Sequence, residues 1–177
     1  MSPSLDPRIR RTRQLLQTAL EKLLKKKPFE RISVQDITDA ATLNRATFYD
    51  HYPEKTALLE CLVASRFMAL LEKRGIHFAG ACPSALKAIM LAVCDYLSSI
   101  RQLEPHMESA IFAVVRKIIL DGLQRHPANQ AVPTEMRAAI VSGAIYAAAK
   151  EWTQTKRRCT AEQIADSVAA LLAPVLQ

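Results

Sequence analysis

Glycine is almost missing: four in 177 residues, and none among residues 1–60. Together with abundant alanine and leucine, that scarcity favours helices over sheet. Cysteine is also sparse and unpatterned. Cys61, Cys82, Cys94 and Cys159 form no CxxC and no Cys/His metal spacing. They read as small apolar core residues, with a redox or electrophile sensor as the alternative. His77, His106 and His126 show no metal-ligand spacing either. No long apolar run is present. The window 81–100 carries Lys87 and Asp95, and the window 138–149 is too short to cross a bilayer. Residues 2–24 are interrupted by Arg8, Arg10, Arg11, Arg13 and Glu21, so no signal peptide is expected in them. There is no HExxH, P-loop, GxSxG or paired Glu-x-x-His. The expectation is a cytoplasmic, non-membrane, non-enzymatic protein without cofactor or metal. A helical-bundle enzyme is the competing class.

What is present is half apolar, with a net charge of +7. The length allows one sizeable domain, or a small domain attached to a larger one. The basic balance points to an anionic partner: nucleic acid, a membrane surface or an acidic protein. Periodicity predicts helices throughout. The first spans residues 8–27, with Leu16, Ala19, Leu20, Leu23 and Leu24 on one stripe, and Pro28 stops it. Ser33 to Asp36 has the form of a capping box and opens a short helix; Asn44 is a favoured N-cap for the next. Pro53 fits the first turn of a fourth helix running toward Gly75. Further helices are predicted over 83–100, 105–125, 133–154 and 160–176, the last opened by a second capping box, Thr160 to Gln163, with a loop over 126–132.

Two short helices with a tight break, braced by longer ones, have the form of a helix-turn-helix. The domain boundary is expected inside the fourth helix, giving a DNA-binding domain at 1–60 and a second helical domain at 61–177. Within "NRATFYDHYPEK" (Asn44 to Lys55), Phe48 and Tyr52 share one helix face and can pack inward. Ala46, Tyr49 and Asp50 lie opposite. Tyr49 has the least structural reason to be there, and its hydroxyl is a good phosphate donor. His51 and Lys55 can also donate to phosphate. Arg45, at the start of the helix, can match guanine O6 and N7 in a major groove. A merely solvated polar face remains the competing reading. Arg8, Arg10, Arg11 and Arg13 read as a phosphate- or groove-tracking arm, with a solubilising tail as the alternative for Arg8. Residues 1–60 hold eleven Lys/Arg against eight Asp/Glu, so positive charge must be placed on one face rather than be merely abundant.

The stretch "ITDAATLNRATFYDHYPEK", with "RISVQDIT" before it, resembles the helix-turn-helix signature of the TetR family of bacterial transcriptional regulators. The close resemblance covers about residues 8–62; beyond that, "GAIYAAAKEW" and the last helix are similar only in style. The resemblance implies an all-α fold: an N-terminal helix-turn-helix domain followed by a helical ligand-binding and dimerisation domain. It implies that Ser33 and Gln35 meet DNA, and that Asn44, Arg45, Ala46 and Thr47 make base-edge or close backbone contacts. Tyr49, His51 and Lys55 become phosphate contacts. The implied function is a homodimeric, ligand-responsive repressor that binds a double-stranded operator and is released by a small hydrophobic molecule; a thiol-sensing regulator and a non-specific architectural DNA binder are rivals. Two departures stand out. Thr42 and Ala46 occupy positions where glycine is common in the family. A β-branched residue at positive φ costs on the order of 1–2 kcal/mol, so the turn is expected to be reshaped.

In the second domain, Ala138, Ala139, Ser142, Gly143, Ala147 and Ala148 make one helix small-sided, and Ile164, Val168, Leu171, Leu172 and Val175 stripe the last. Ala139, Gly143, Ala147, Ile164, Val168 and Leu172 are therefore candidate dimer-interface residues, with an ordinary internal core as the alternative. Phe67, Met90, Cys94, Met107, Phe112 and Trp152, with Tyr96, are candidate pocket lining, each open to a plain core role.

Overall fold

The structure, a computed structural model, describes residues 6–74, 82–100, 103–125, 131–155 and 159–176. Gly75, His77 and the 126–130 part of the expected loop lie outside the described residues. Eight α-helices account for nearly everything described, with no strand among those residues: α1 (Pro7–Leu24), α2 (Val34–Ala41), α3 (Arg45–His51), α4 (Lys55–Lys73), α5 (Pro83–Ser99), α6 (Pro105–Arg125), α7 (Thr134–Gln154) and α8 (Ala161–Leu176). A 3-10 turn, Phe29–Arg31, joins α1 to α2. No described helix is long and apolar enough to cross a membrane.

Two compact units emerge. The first comprises the described residues up to Val63 together with Glu104–Ala110; the second comprises Ala64–Leu103 and the residues from Ile111. The division cuts both α4 and α6. A two-piece partition of the chain, 1–60 and 61–177, cannot express the return of Glu104–Ala110 to the first unit.

In the first unit α1 starts at an Asp6 cap, whose carboxylate accepts from the Arg8 N–H at 2.8 Å, with Pro7 at the first helical position. It ends at Leu24, short of the expected Lys27. The Lys26 and Lys27 amides both turn back to the Leu23 carbonyl, and the Lys27 ammonium pairs with Asp36 at 2.9 Å instead of extending the helix. Pro53 likewise lies before α4, which begins at Lys55. Leu16, Leu20, Ile37, Phe48, Leu58 and Leu59 are buried and form the core that α2 and α3 pack into.

The turn between α2 and α3 is not reshaped, contrary to expectation. Thr42 stands at φ 57°, ψ 45°, a true left-handed residue. The reason is the pair of bonds it allows: Thr42 N–H to the Asp39 carbonyl (3.2 Å) and Leu43 N–H to the Thr38 carbonyl (2.9 Å). These satisfy carbonyls that the helix end would otherwise leave open. At the other end of α2 the capping box is complete. The Ser33 hydroxyl accepts from the Asp36 N–H (3.1 Å), and the Asp36 carboxylate accepts from the Ser33 N–H (2.7 Å) and hydroxyl (2.7 Å). The Ser33 backbone bond, then its hydroxyl bond, then the Lys27 ammonium hold the Asp36 carboxyl well below the usual carboxylate range.

In the second unit α5 packs against α7 and α8, and Ile89, Met90, Val93, Cys94 and Tyr96 along it are buried. Arg137, 1% exposed, lies on α7 and donates Nε to the Val175 carbonyl and Nη2 to the Leu176 carbonyl, both at 2.8 Å. It caps the carbonyl end of α8, where a cation complements the helix dipole. The second capping box is present, with Thr160 N–H to Gln163 Oε1 at 2.8 Å and Gln163 N–H to Thr160 Oγ1 at 3.2 Å.

Several residues expected at surfaces or pockets take other places. Val168 and Leu172 are buried inside the unit, whereas Leu171 is 77% exposed. The α8 stripe was two faces read as one: Ala165, Val168, Ala169, Leu172 and Leu176 turn inward, while Ile164, Leu171 and Val175 remain at least partly exposed. Ala139, Gly143 and Ile164 are half-exposed and Ala147 is exposed. Phe67, Met90 and Cys94 are fully packed core. Phe112 meets Tyr146 edge-on at 6.2 Å, and Trp152 Nε1 donates to the Cys159 carbonyl at 3.1 Å. Met107 belongs to the first unit. A cavity of about 340 Å³ in the second unit is lined by Arg66, Ala69, Leu70, Lys73, Tyr96 and Ser99. Of the pocket candidates, only Tyr96 lines it.

Two stability predictions follow from the α2 termini. Thr42→Gly relieves the left-handed strain but adds unfolded-chain freedom, so it should stabilise the protein by about 0.5–1 kcal/mol and raise Tm by a few degrees. Urea unfolding of both proteins measures this. The Asp36 carboxyl has a depressed folded-state pKa. Its contribution is therefore present above the ordinary value of 3.8 and is lost as pH falls toward the folded value. Asp36→Asn should be less stable than the parent at pH 7, and the gap should narrow as urea melts are moved from pH 6 toward pH 2.

Candidate nucleic-acid interface

Helix α3 has only seven residues, too few to hold together without end caps and packing. Asn44 supplies the cap: its Oδ1 accepts from the Thr47 N–H at 2.7 Å and from the Thr47 hydroxyl at 2.8 Å. Phe48 is buried beneath, Tyr52 is 3% exposed, and the two rings lie 6.0 Å apart. Burial pushes the Tyr52 phenol up, as for a core residue. This leaves Asn44, Arg45, Ala46, Tyr49 and Asp50 exposed on the outer face, with Thr47 and His51 half-exposed beside them.

Arg45 and Tyr49 form one assembly on that face. The guanidinium Nη2 donates to the Tyr49 hydroxyl at 3.3 Å, and its carbon lies 6.0 Å from the ring centroid. The Tyr49 ring is itself fixed by an edge-on contact with buried Phe48 at 5.4 Å. Tyr49 is 48% exposed, far more than any packing role requires. A cavity of about 420 Å³ opens beside it, lined by Glu30, Arg31, Ile32, Ser33, Val34, Tyr49, Pro53, Glu54 and Lys55. The structure thus gathers Ser33, Tyr49 and Lys55 around one cavity, although the sequence separates them. It also adds Arg31, an exposed cation that sequence reasoning passed over. The available signal was its place two residues before the α2 capping box.

Other candidates are already engaged. The Ser33 hydroxyl both donates and accepts within the capping box. Gln35 Nε2 donates to Asp39 at 2.6 Å. Asn44 keeps its amide nitrogen for an outside acceptor, since only its oxygen caps. Arg13 is half-buried with its guanidinium 5.7 Å from the Tyr52 ring centroid, whereas Arg8, Arg10 and Arg11 are exposed. Lys55 departs furthest from a phosphate role. Its ammonium donates to the carbonyls of Phe29 (3.0 Å), Glu30 (3.2 Å) and Ile32 (2.8 Å), which uses all three of its protons.

Comparison with known proteins bears on this surface. The sequence profile of bacterial regulatory proteins of the tetR family matches residues 15–62. An uncharacterized HTH-type transcriptional regulator, YxbF of Bacillus subtilis (strain 168), is 43% identical over 60 residues. That match covers 33% of this chain and 16% of the relative. Solved structures extend the likeness across nearly the whole chain. A TetR-family regulator of Streptomyces coelicolor A3 matches with a TM-score of 0.64 at 14% identity, covering 98% of this chain and 99% of that one. A TetR transcriptional regulator of Streptococcus agalactiae 2603V matches at 0.55 and 20% identity, covering 94% and 96%. Thermus thermophilus FadR, a TetR-family repressor solved with lauroyl-CoA, matches at 0.57 and 18% identity, covering 90% and 92%. At such identities these structures establish a shared all-helical fold. Residues 15–62 are thus similar to the N-terminal helix-turn-helix domain of the tetR family of bacterial regulatory proteins, and the described helices share the fold of TetR-family regulators.

Proposed function

We propose that this protein is a cytoplasmic transcriptional repressor that binds a double-stranded operator as a homodimer and releases it when a small molecule occupies the second unit. The observation that carries the DNA-binding reading is the exposed Arg45–Tyr49 pair at the start of a capped, core-anchored α3. A guanidinium held on an aromatic face is orientated before it meets DNA, and its fork matches guanine O6 and N7. Ala46, beside it, lets the helix approach closely. The amide nitrogen of Asn44 and Gln35 supply further base-edge or backbone contacts, and the Thr47 methyl supplies an apolar one. Tyr49, His51 and Arg31 are the phosphate-side groups in this reading; Ser33 and Lys55 are withdrawn from that set because the Ser33 hydroxyl proton goes to Asp36 and the Lys55 donors face carbonyls.

Dimerisation rests on two adjacent helices. Met136 and Ile140 on α7 are 56% and 47% exposed, and Gly143 and Ala147 continue the same face. A Cβ added at Gly143 would meet nothing within 4 Å. On α8, Ile164, Leu171 and Val175 continue the apolar surface. Scattered apolar residues are ordinary, but an aligned strip with an open glycine fits a second copy packed helix to helix. The effector is the least constrained partner. The second-unit cavity combines apolar walls with Arg66 and Lys73, which favours a ligand with an apolar body and an acidic group over a purely hydrophobic one.

Arg45→Ala should weaken operator binding by roughly 1–3 kcal/mol and relax preference at one base pair. Tyr49→Phe should lose part of that same preference, because it removes the hydroxyl that orients the guanidinium. Affinities on the operator and on single-base variants of it, for both single substitutions and the double, test this; a sequence-blind loss from Arg45→Ala would remove Arg45 from base recognition. Leu171→Asp should yield monomers in sedimentation and weaken operator binding at least tenfold, since half-sites would no longer be bound together. A dimer that still binds normally would place the interface elsewhere.

A further inference from the structure

The 3-10 turn Phe29–Arg31 is short, and it leads through Ile32 directly into Ser33, the cap of α2. Its own backbone bonds are two: Arg31 N–H to the Pro28 carbonyl and Ile32 N–H to the Phe29 carbonyl, both at 3.0 Å. Two distant side chains complete it. At its N-terminal end the Phe29 N–H donates to Glu104 Oε2 at 2.9 Å, across 75 residues of sequence. At its C-terminal end the Lys55 ammonium collects the Phe29, Glu30 and Ile32 carbonyls. A carboxylate at the amide end and a cation at the carbonyl end match the direction of the turn's peptide dipoles. The Phe29 side chain, fully buried, is held between Lys55 and His106. Lys55 Nζ lies 4.6 Å from its ring centroid, and the His106 ring meets its edge at 5.4 Å. His106 Nε2 also approaches Glu30 Oε1 at 3.9 Å. Glu104 and His106 fall in Glu104–Ala110, which packs within the first unit but lies far outside the family-matched segment.

We infer that Glu104 is a positioning residue for DNA binding: with Lys55 it clamps the Phe29–Arg31 turn at both ends, and the turn fixes how α2, and with it α3, is presented. The inference rests on the operator reading above. It gives Lys55 a role different from phosphate binding, and it gives the start of α6 a role that the matched N-terminal segment alone cannot reveal. A half-buried N–H deprived of its acceptor destabilises the local arrangement that depended on it. The loosened element here is the one that leads into α2.

The test uses the full chain and three variants. Glu104→Gln keeps a carbonyl-type acceptor, Glu104→Leu removes it, and Lys55→Met removes the cation. Amide hydrogen exchange at Phe29, operator affinity, affinity for a scrambled duplex and the salt dependence of each are measured. Glu104→Leu should speed Phe29 exchange about tenfold or more and weaken operator binding about tenfold, with little change on the scrambled duplex. Glu104→Gln should restore most of both. Lys55→Met should weaken operator binding with the salt slope unchanged. The inference is overturned if Glu104→Leu accelerates exchange but binds the operator normally, if Glu104→Gln is as impaired as Glu104→Leu, or if Lys55→Met makes the slope shallower by a full contact. If the unmodified protein shows no preference between duplexes, the operator reading itself fails, and the exchange difference between the two Glu104 variants still reports whether the clamp exists.

Discussion

The constraint on which the first unit depends is the shortness of its two central helices. Eight and seven residues cannot sustain α2 and α3 alone, because so few hydrogen bonds are closed for the dihedrals fixed. The unit compensates at three of their four termini. Ser33 and Asp36 close the start of α2, Thr42 closes its end at the cost of a left-handed residue, and Asn44 with Thr47 closes the start of α3. Phe48 and Tyr52 then anchor α3 to the core. Only after these demands are met does the outer face remain available for recognition. That face is small, and Arg45 stacked on Tyr49 dominates it.

The same constraint explains what could be read in the chain and what could not. Caps depend on residues two or three positions apart, so Asn44, the Ser33–Asp36 box and the Thr160–Gln163 box were legible directly. The inward placement of Phe48 and Tyr52 followed from helical period alone. The partners of Lys55 could not be foreseen because they are backbone carbonyls more than twenty residues away, and a carbonyl leaves no mark in a sequence. Glu104 was invisible for the same reason. On α8 the apolar content is so high that two faces merge into one stripe. Val168 and Leu172 could not be told from Leu171 without knowing where α5 packs. Pocket residues were least legible, since Phe67, Met90 and Cys94 have the same composition signal whether they line a cavity or fill a core. Arg137 is a further case: this buried cation is held by the Val175 and Leu176 carbonyls, partners 38 and 39 residues away that leave no mark in the sequence.

The outer face of α3 divides its side chains by distance from the caps. Side chains that hold helix ends, such as Ser33 and Thr47, have little donor capacity left for an outside partner. Side chains one turn away, such as Arg45 and Tyr49, are orientated by neighbours without being consumed by them. If α3 reads an operator as proposed, specificity concentrates in very few groups, and discrimination should depend steeply on how α3 is held.

The most direct measurement is selection of bound duplexes from a random pool by the purified full-length protein, followed by sequencing. The account predicts recovery of one inverted-repeat sequence, with a strongly fixed guanine in each half, because a dimer presents two α3 helices and each Arg45 reads one base pair. A pool that shows no enriched sequence after repeated rounds, while binding persists at low salt and vanishes at high salt, would contradict it. The protein would then be an electrostatic DNA binder without an operator.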